Sequence, residues 1–183
     1  QNKLVNDFTT WVNNAVGNIM FLNVRTSVLQ TISFLNFVNW SDNNPIKYMQ
    51  AVANFPRFAG DFAMIWNSDF LKQRRKGLQT DVSASEIVNQ AANSKNKVSA
   101  ILSYILGKGY LPTQMGDSFA ICMGGAGFYR NRVKSYIKQG LSESEAETKA
   151  FADMQETSED AQQSARPDKI SQQQASPLGR FIL

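Results

Sequence analysis

Apolar residues recur at the three- and four-residue spacing of an α-helix along almost the whole chain. One stripe covers residues 3–20, a second covers 28–38, and similar stripes follow through 46–66 and beyond. Alternation of apolar and polar residues, which indicates a half-buried strand, never extends over a useful length. The sequence therefore predicts an all-α fold, an irregular multi-helix bundle of about seven to nine helices with no sheet.

Capping residues, prolines and glycines mark the ends of these helices. Ser41 and Asp42, just ahead of Pro45, predict the start of one helix, because short polar side chains cap a first turn that tolerates proline. Residues 83–86 and 142–145 both read Ser-x-x-Glu, the pattern of a capping box. Four glycines and one proline mark the other predicted boundaries: Gly77, Gly107, Gly109, Pro112 and Gly140.

Charge is distributed unevenly along the chain. Residues 1–70 carry four basic and four acidic groups, residues 71–140 carry eleven basic and three acidic groups, and residues 141–183 carry four basic and eight acidic groups. The net charge of +4 thus combines a middle of +8 with an end of −4. Such a basic middle is typical of nucleic-acid contact, but solvated faces that compensate one another account for it equally.

We expect one helical module over residues 1–183, divided by these patterns into three parts. Helical hairpins occupy 1–77, a basic helical part occupies 78–140, and 141–183 holds an acidic helix, a linker and the first turn of a further helix after Ser176-Pro177. The chain starts without Met and stops on the apolar run 181–183. We therefore expect it to be a fragment of a much longer polypeptide.

The composition excludes several kinds of catalytic site. The chain has no histidine and a single cysteine, Cys122, which removes serine–histidine and cysteine–histidine catalysis, an internal disulfide and most metal sites. Asp61 and Asp117 lie in apolar surroundings and are the remaining candidates for acid–base chemistry, although a position in a helix first turn or a buried ion pair with Arg57 or Arg130 fits them better. We predict no metal, no cofactor and no enzymatic activity for this segment.

The glycine-rich run 123–128 lacks the spacing of a dinucleotide-binding or phosphate-binding loop. The run instead predicts a helix with a small-residue face, at which another helix can approach closely or the helix itself can kink. The residues predicted to serve this helix packing are Gly124, Gly125 and Gly127.

Two basic clusters, residues 71–77 and 128–138, are candidate nucleic-acid contacts. The second interleaves cations with Tyr129 and Tyr136, which could stack on bases. The alternative is a helix whose aromatic residues face the core while its cations are solvated. The candidate contact residues are Lys72, Arg74, Arg75, Lys76, Arg130, Arg132 and Lys134.

Four long strings resemble a module of very large virion proteins of tailed bacteriophages. They are FLNVRTSVLQTISFLNFVNWSDNNP (21–45), WNSDFLKQRRKG (66–77), GYLPTQMGDSFAICMGGAGFYRNRV (109–133) and QQSARPDKISQQQASPLGRFIL (162–183). This family includes the internal cargo or ejection proteins of crAss-like gut phages and the large polyvalent proteins of some short-tailed phages.

The resemblance implies a non-enzymatic helical part of a protein held in the capsid, portal or tail lumen and delivered with the genome. Its implied partners are other segments of its own polypeptide and portal or tail proteins, with genomic DNA and the host membrane as further candidates. Two other functions stay open: a nucleic-acid-binding module, and a membrane-active component of a conduit that uses the stripes at 4–19 and 28–38.

Overall fold

The computed structural model of the protein describes residues 2–22, 34–39, 41–75 and 80–164. Across these ranges the chain forms eight helices and no strand, which confirms the predicted all-α multi-helix fold. Most of the predicted helix at 28–38, together with Lys76, Gly77 and the predicted linker and terminal helix of 165–183, lies outside the described residues. The helices are α1 (Asn2–Leu22), α2 (Pro45–Ala53), α3 (Phe55–Asn67), α4 (Asp69–Arg74), α5 (Ala84–Ala91), α6 (Lys97–Gly107), α7 (Pro112–Lys138) and α8 (Glu143–Ser164).

Helix α7 is the centre of the fold. It packs against α1, α2, α3 and α8, and every residue from Ser118 to Tyr129 is buried. A helix surrounded by neighbours needs no polar face, which explains why the small and apolar residues of this stretch are not confined to one stripe. Helices α5 and α6 pack against each other, and they meet α3 and α1 respectively.

Glycines end α6 and α7 as predicted. Gly109 and Gly140 have positive φ angles of 92° and 98°, a left-handed conformation that glycine adopts without a steric penalty. After α7, the amide of Gly140 donates to the Ile137 carbonyl and the amide of Leu141 donates to the Tyr136 carbonyl. These two hydrogen bonds form a Schellman motif, so the chain reverses at once into α8.

The start of α2 differs from the prediction. Its N-cap is Asn44, whose side chain accepts a hydrogen bond from the amide of Lys47 at 3.0 Å, rather than Ser41 or Asp42. The amides of Ser41 and Asp42 donate instead to the side-chain oxygen of Asn39, which organises the loop ahead of the helix. The predicted first-turn proline, Pro45, is in place.

The two predicted capping boxes have different outcomes. Ser142 and Glu145 form the complete box, because each side chain accepts a hydrogen bond from the other residue's amide. Ser83 is the N-cap of α5 but makes no capping hydrogen bond with its side chain, so the prediction of a box there was wrong. Glu86 accepts a hydrogen bond from the Tyr104 hydroxyl instead, and it forms an ion pair with Lys108 at 2.7 Å.

We expect Ser142→Ala to lower the free energy of unfolding by about 1 kcal/mol, because it removes the side-chain acceptor of the Glu145 amide in the first turn of α8. Hydrogen bonds from Ser142 lower the pKa of Glu145 below its ordinary value of 4.5. The part of the contribution that acts through the Glu145 carboxylate is therefore present above that value and is lost as the pH falls through the lower pKa of the folded state. Urea denaturation of both proteins across this pH range measures the difference. Ser83→Ala, which removes no capping bond, is the matched control and should change stability less.

Candidate functional site

Arg75, a predicted phosphate contact, lies in the interior. The residue is only 2% exposed, and its guanidinium donates to the Trp66 carbonyl at 2.7 Å while it lies over the rings of Trp66 and Tyr110. Burial lowers the pKa of Arg75 below its ordinary value. Within the described residues, its Nε and Nη1 atoms make no hydrogen bond. In this conformation Arg75 stabilises the packing of α3 and cannot reach a phosphate.

The other described cations of the first basic cluster are paired with acidic groups. Lys72 lies 2.7 Å from Asp81, and Arg74 lies 3.3 Å from Asp117 and over the ring of Phe70. These pairs neutralise most of the positive charge that the sequence concentrates at 71–75. The placement favours the alternative of mutually compensating faces over a phosphate-binding surface at this cluster.

Arg130 forms the most buried ion pair of the described chain. Its Nε and Nη2 atoms donate to the two carboxylate oxygens of Asp61 at 2.8 and 2.6 Å. Both side chains are largely buried, with 12% and 6% of their surfaces exposed. The hydrogen bonds to Asp61 raise the pKa of Arg130. This pair fixes α3 against α7, and it settles the predicted choice between Arg57 and Arg130 as the partner of Asp61.

Arg132 points to a different part of the structure. It forms an ion pair with Asp42 at 3.1 Å and with Asp153 at 3.8 Å, and it lies over the Phe128 ring. The contact with Asp42 has the distance of an ion pair but not the geometry of a hydrogen bond, since Arg132 Nε has no hydrogen-bond acceptor among the described residues. Arg132 thus connects the loop before α2, α7 and α8.

The aromatic residues of 128–138 and the cysteine face the core. Burial raises the pKa of Tyr129 to about 12, and Tyr136 donates its hydroxyl hydrogen bond to Asp153. Both tyrosines are less than a tenth exposed, so neither offers a ring face for base stacking. Cys122 is fully buried, and burial raises its pKa, which makes the thiolate inaccessible as a nucleophile.

The three glycines of α7 lie against three different elements. A Cβ atom at Gly124 would lie 2.8 Å from the Phe34 carbonyl oxygen, one at Gly127 would lie 2.5 Å from the Tyr48 ring, and one at Gly125 would lie 3.3 Å from Met154 of α8. Because successive helical residues point about 100° apart, the glycines admit close neighbours on several sides of α7 rather than on one face.

A groove of about 320 Å³ opens between α2, the first turn of α3 and the last turns of α7. Three cations and no carboxylate line it, and two of the cations, Arg57 and Lys134, are exposed and form no ion pair among the described residues. The sequence suggested Lys134 as a contact residue, but it suggested Arg57 only as an ion-pair partner, because Arg57 is a single cation in an apolar segment. The full lining is Gln50, Ala51, Asn54, Arg57, Arg130, Val133, Lys134 and Ile137.

The described residues form neither a metal-binding cluster nor a membrane-spanning helix. No group of three histidine, cysteine, aspartate or glutamate residues there could hold a metal ion. No helix in those ranges is both long and apolar enough to cross a membrane. In addition, no protein-family model, curated protein or solved structure matches the chain.

Proposed function

We propose that the chain is a non-enzymatic internal protein of a tailed-phage virion, of the cargo or ejection type. It would be held in the capsid, portal or tail lumen and delivered with the genome. The phage context of this proposal rests on the resemblance of four long sequence strings, which together hold 84 of the 183 residues and are distributed from residue 21 to residue 183. Its mode of action would be packing against other segments of its own polypeptide and against portal or tail proteins.

The observation that best supports a packing role is the apolar surface of α1. Leu4 and Val5 near one end are 39% and 50% exposed, and Met20 and Phe21 at the other end are 50% and 68% exposed. The buried residues Trp11, Ala15 and Ile19 form one stripe of the same helix at helical spacing, and Leu4 continues that stripe at the helix start, whereas Val5, Met20 and Phe21 point away from it. An isolated large apolar side chain on a surface is ordinary, but an adjacent pair at each end of α1 is what further packed elements would cover.

One part of the helix packing suits a protein that must refold after transit, although α7 also packs against the sequence-distant helices α1, α2 and α3. Helices that follow one another in the sequence pack together: α2 on α3, α3 on α4, α5 on α6 and α7 on α8. Proteins with many local contacts fold fast, because little loop-closure entropy is lost before contacts form. The single cysteine also means that no internal disulfide has to be broken.

Peptide mapping by mass spectrometry tests this proposal on purified phage particles and on the emptied particles left after DNA release. We expect peptides of this chain to be abundant in full particles and depleted in emptied ones, because a cargo protein leaves with the genome. Equal abundance in both would identify a fixed structural component and remove the ejection role. Absence from both would refute the virion proposal altogether.

A further inference from the structure

We propose that the groove between α2, α3 and α7 binds the phosphodiester backbone of a nucleic-acid strand, with Arg57 and Lys134 as the contact residues. This inference goes beyond the proposed packing role and does not depend on it. It also moves the predicted nucleic-acid contact away from the cluster at 71–77, whose described cations are buried or paired.

The buried ion pair determines which charges are available in the groove. Asp61 neutralises Arg130 through two hydrogen bonds. Arg57 lies one turn before Asp61 on α3, and Lys134 lies one turn after Arg130 on α7. Clamping α3 to α7 at the pair therefore brings these two cations to the same opening, where no acidic side chain lines the wall.

The row of cations continues beyond the groove. Lys138 lies one further turn along α7, about 6 Å from Lys134 along the helix axis, and it is exposed without an ion pair among the described residues. Glu147 of α8 interacts electrostatically with Arg130 and Tyr129, but it does not line the groove. A repeating row of exposed cations complements the repeating charge of a nucleic-acid backbone.

The size and lining of the groove favour a strand over an acidic helix. One turn of a helix, about 10 Å across and about 5.4 Å high, fills about 420 Å³, which is more than the groove of about 320 Å³ can enclose. A phosphate with its adjoining sugars is smaller, and the apolar wall of Ala51, Val133 and Ile137 can contact sugar carbons. No aromatic residue lines the groove, so we expect binding through the backbone with little dependence on base sequence.

Fluorescence anisotropy of the full chain with a labelled oligothymidylate of about 20 nucleotides tests the proposal across a series of salt concentrations. We expect Arg57→Ala and Lys134→Ala each to weaken binding about three- to tenfold at low salt, since each removes one phosphate contact. The double variant should lower the salt slope of log affinity by about 1.4, because each contact contributes about 0.7 on a single strand.

Two controls separate a local contact from a general charge effect. Lys95→Ala removes the same charge from an exposed lysine outside the groove and should leave affinity within about twofold. Arg57→Lys keeps the charge and should retain most of the binding. Equal losses in Lys95→Ala and the groove variants would overturn the proposal, as would no binding by the unaltered protein at low salt. If polyglutamate bound and lost affinity in the groove variants while the oligonucleotide did not bind, the nucleic-acid proposal would be overturned, and the ligand would be an acidic peptide.

Discussion

Asp61→Asn is expected to lower the free energy of unfolding by about 3–5 kcal/mol, because it leaves the Arg130 guanidinium largely buried opposite a neutral side chain. Asp61 is 5% exposed and accepts both of the short hydrogen bonds that Arg130 makes. The loss would be a large fraction of the stability of a domain of this size. Urea denaturation followed by circular dichroism measures it directly.

Two further variants distinguish a structural role of the pair from other roles. Asp81→Asn removes the partner of Lys72 in an exposed pair and should cost no more than about 1 kcal/mol. Asp61→Leu combined with Arg130→Met replaces the buried charges by apolar groups and should recover most of the stability. If Asp61→Asn unfolds at the same urea concentration as the unaltered protein, the pair does not hold α3 against α7. If Asp61 were a catalytic residue, Asp61→Asn would instead abolish an activity while the protein remained folded.

Local signals in the sequence were sufficient for the fold class and for several helix ends. Gly140 and Pro112 act through their own backbone geometry, so their roles could be predicted without knowing what surrounds them. The cap of α2 was less predictable, because Ser41, Asp42 and Asn44 are all good capping residues and the loop decides among them. In that loop, the side chain of Asn39 accepts hydrogen bonds from the amides of Ser41 and Asp42. Asn44 is therefore the residue that caps the helix.

The candidate site depended on contacts between distant parts of the chain. A basic run such as 71–77 looks solvated in sequence, and only the contact of Arg75 with the adjacent rings of Trp66 and Tyr110 shows that its guanidinium is enclosed. Arg57 and Lys134 are far apart in sequence and line one groove only because α3 packs against α7. Charge content was therefore readable from the sequence, whereas the pairing of each charge was not.

Gly127→Ala is expected to lower the free energy of unfolding by about 1–3 kcal/mol or more, through overpacking of the core. The added Cβ would lie 2.5 Å from two ring carbons of Tyr48. That ring has no exposed surface, and its hydroxyl donates to the Met123 carbonyl and accepts a hydrogen bond from the Trp11 indole. Tyr48 can therefore move aside only by breaking buried hydrogen bonds between α1, α2 and α7.

Gly60→Ala is the matched control, because it makes the same substitution within a helix where nothing lies within 4 Å of the added Cβ. It should raise the free energy of unfolding by about 0.5–1 kcal/mol, since alanine restricts the unfolded chain and favours the helix. Urea denaturation of the two variants should therefore give changes of opposite sign. A stabilising Gly127→Ala would show that Tyr48 is free to shift, and the close packing of α2 on α7 would then not require glycine.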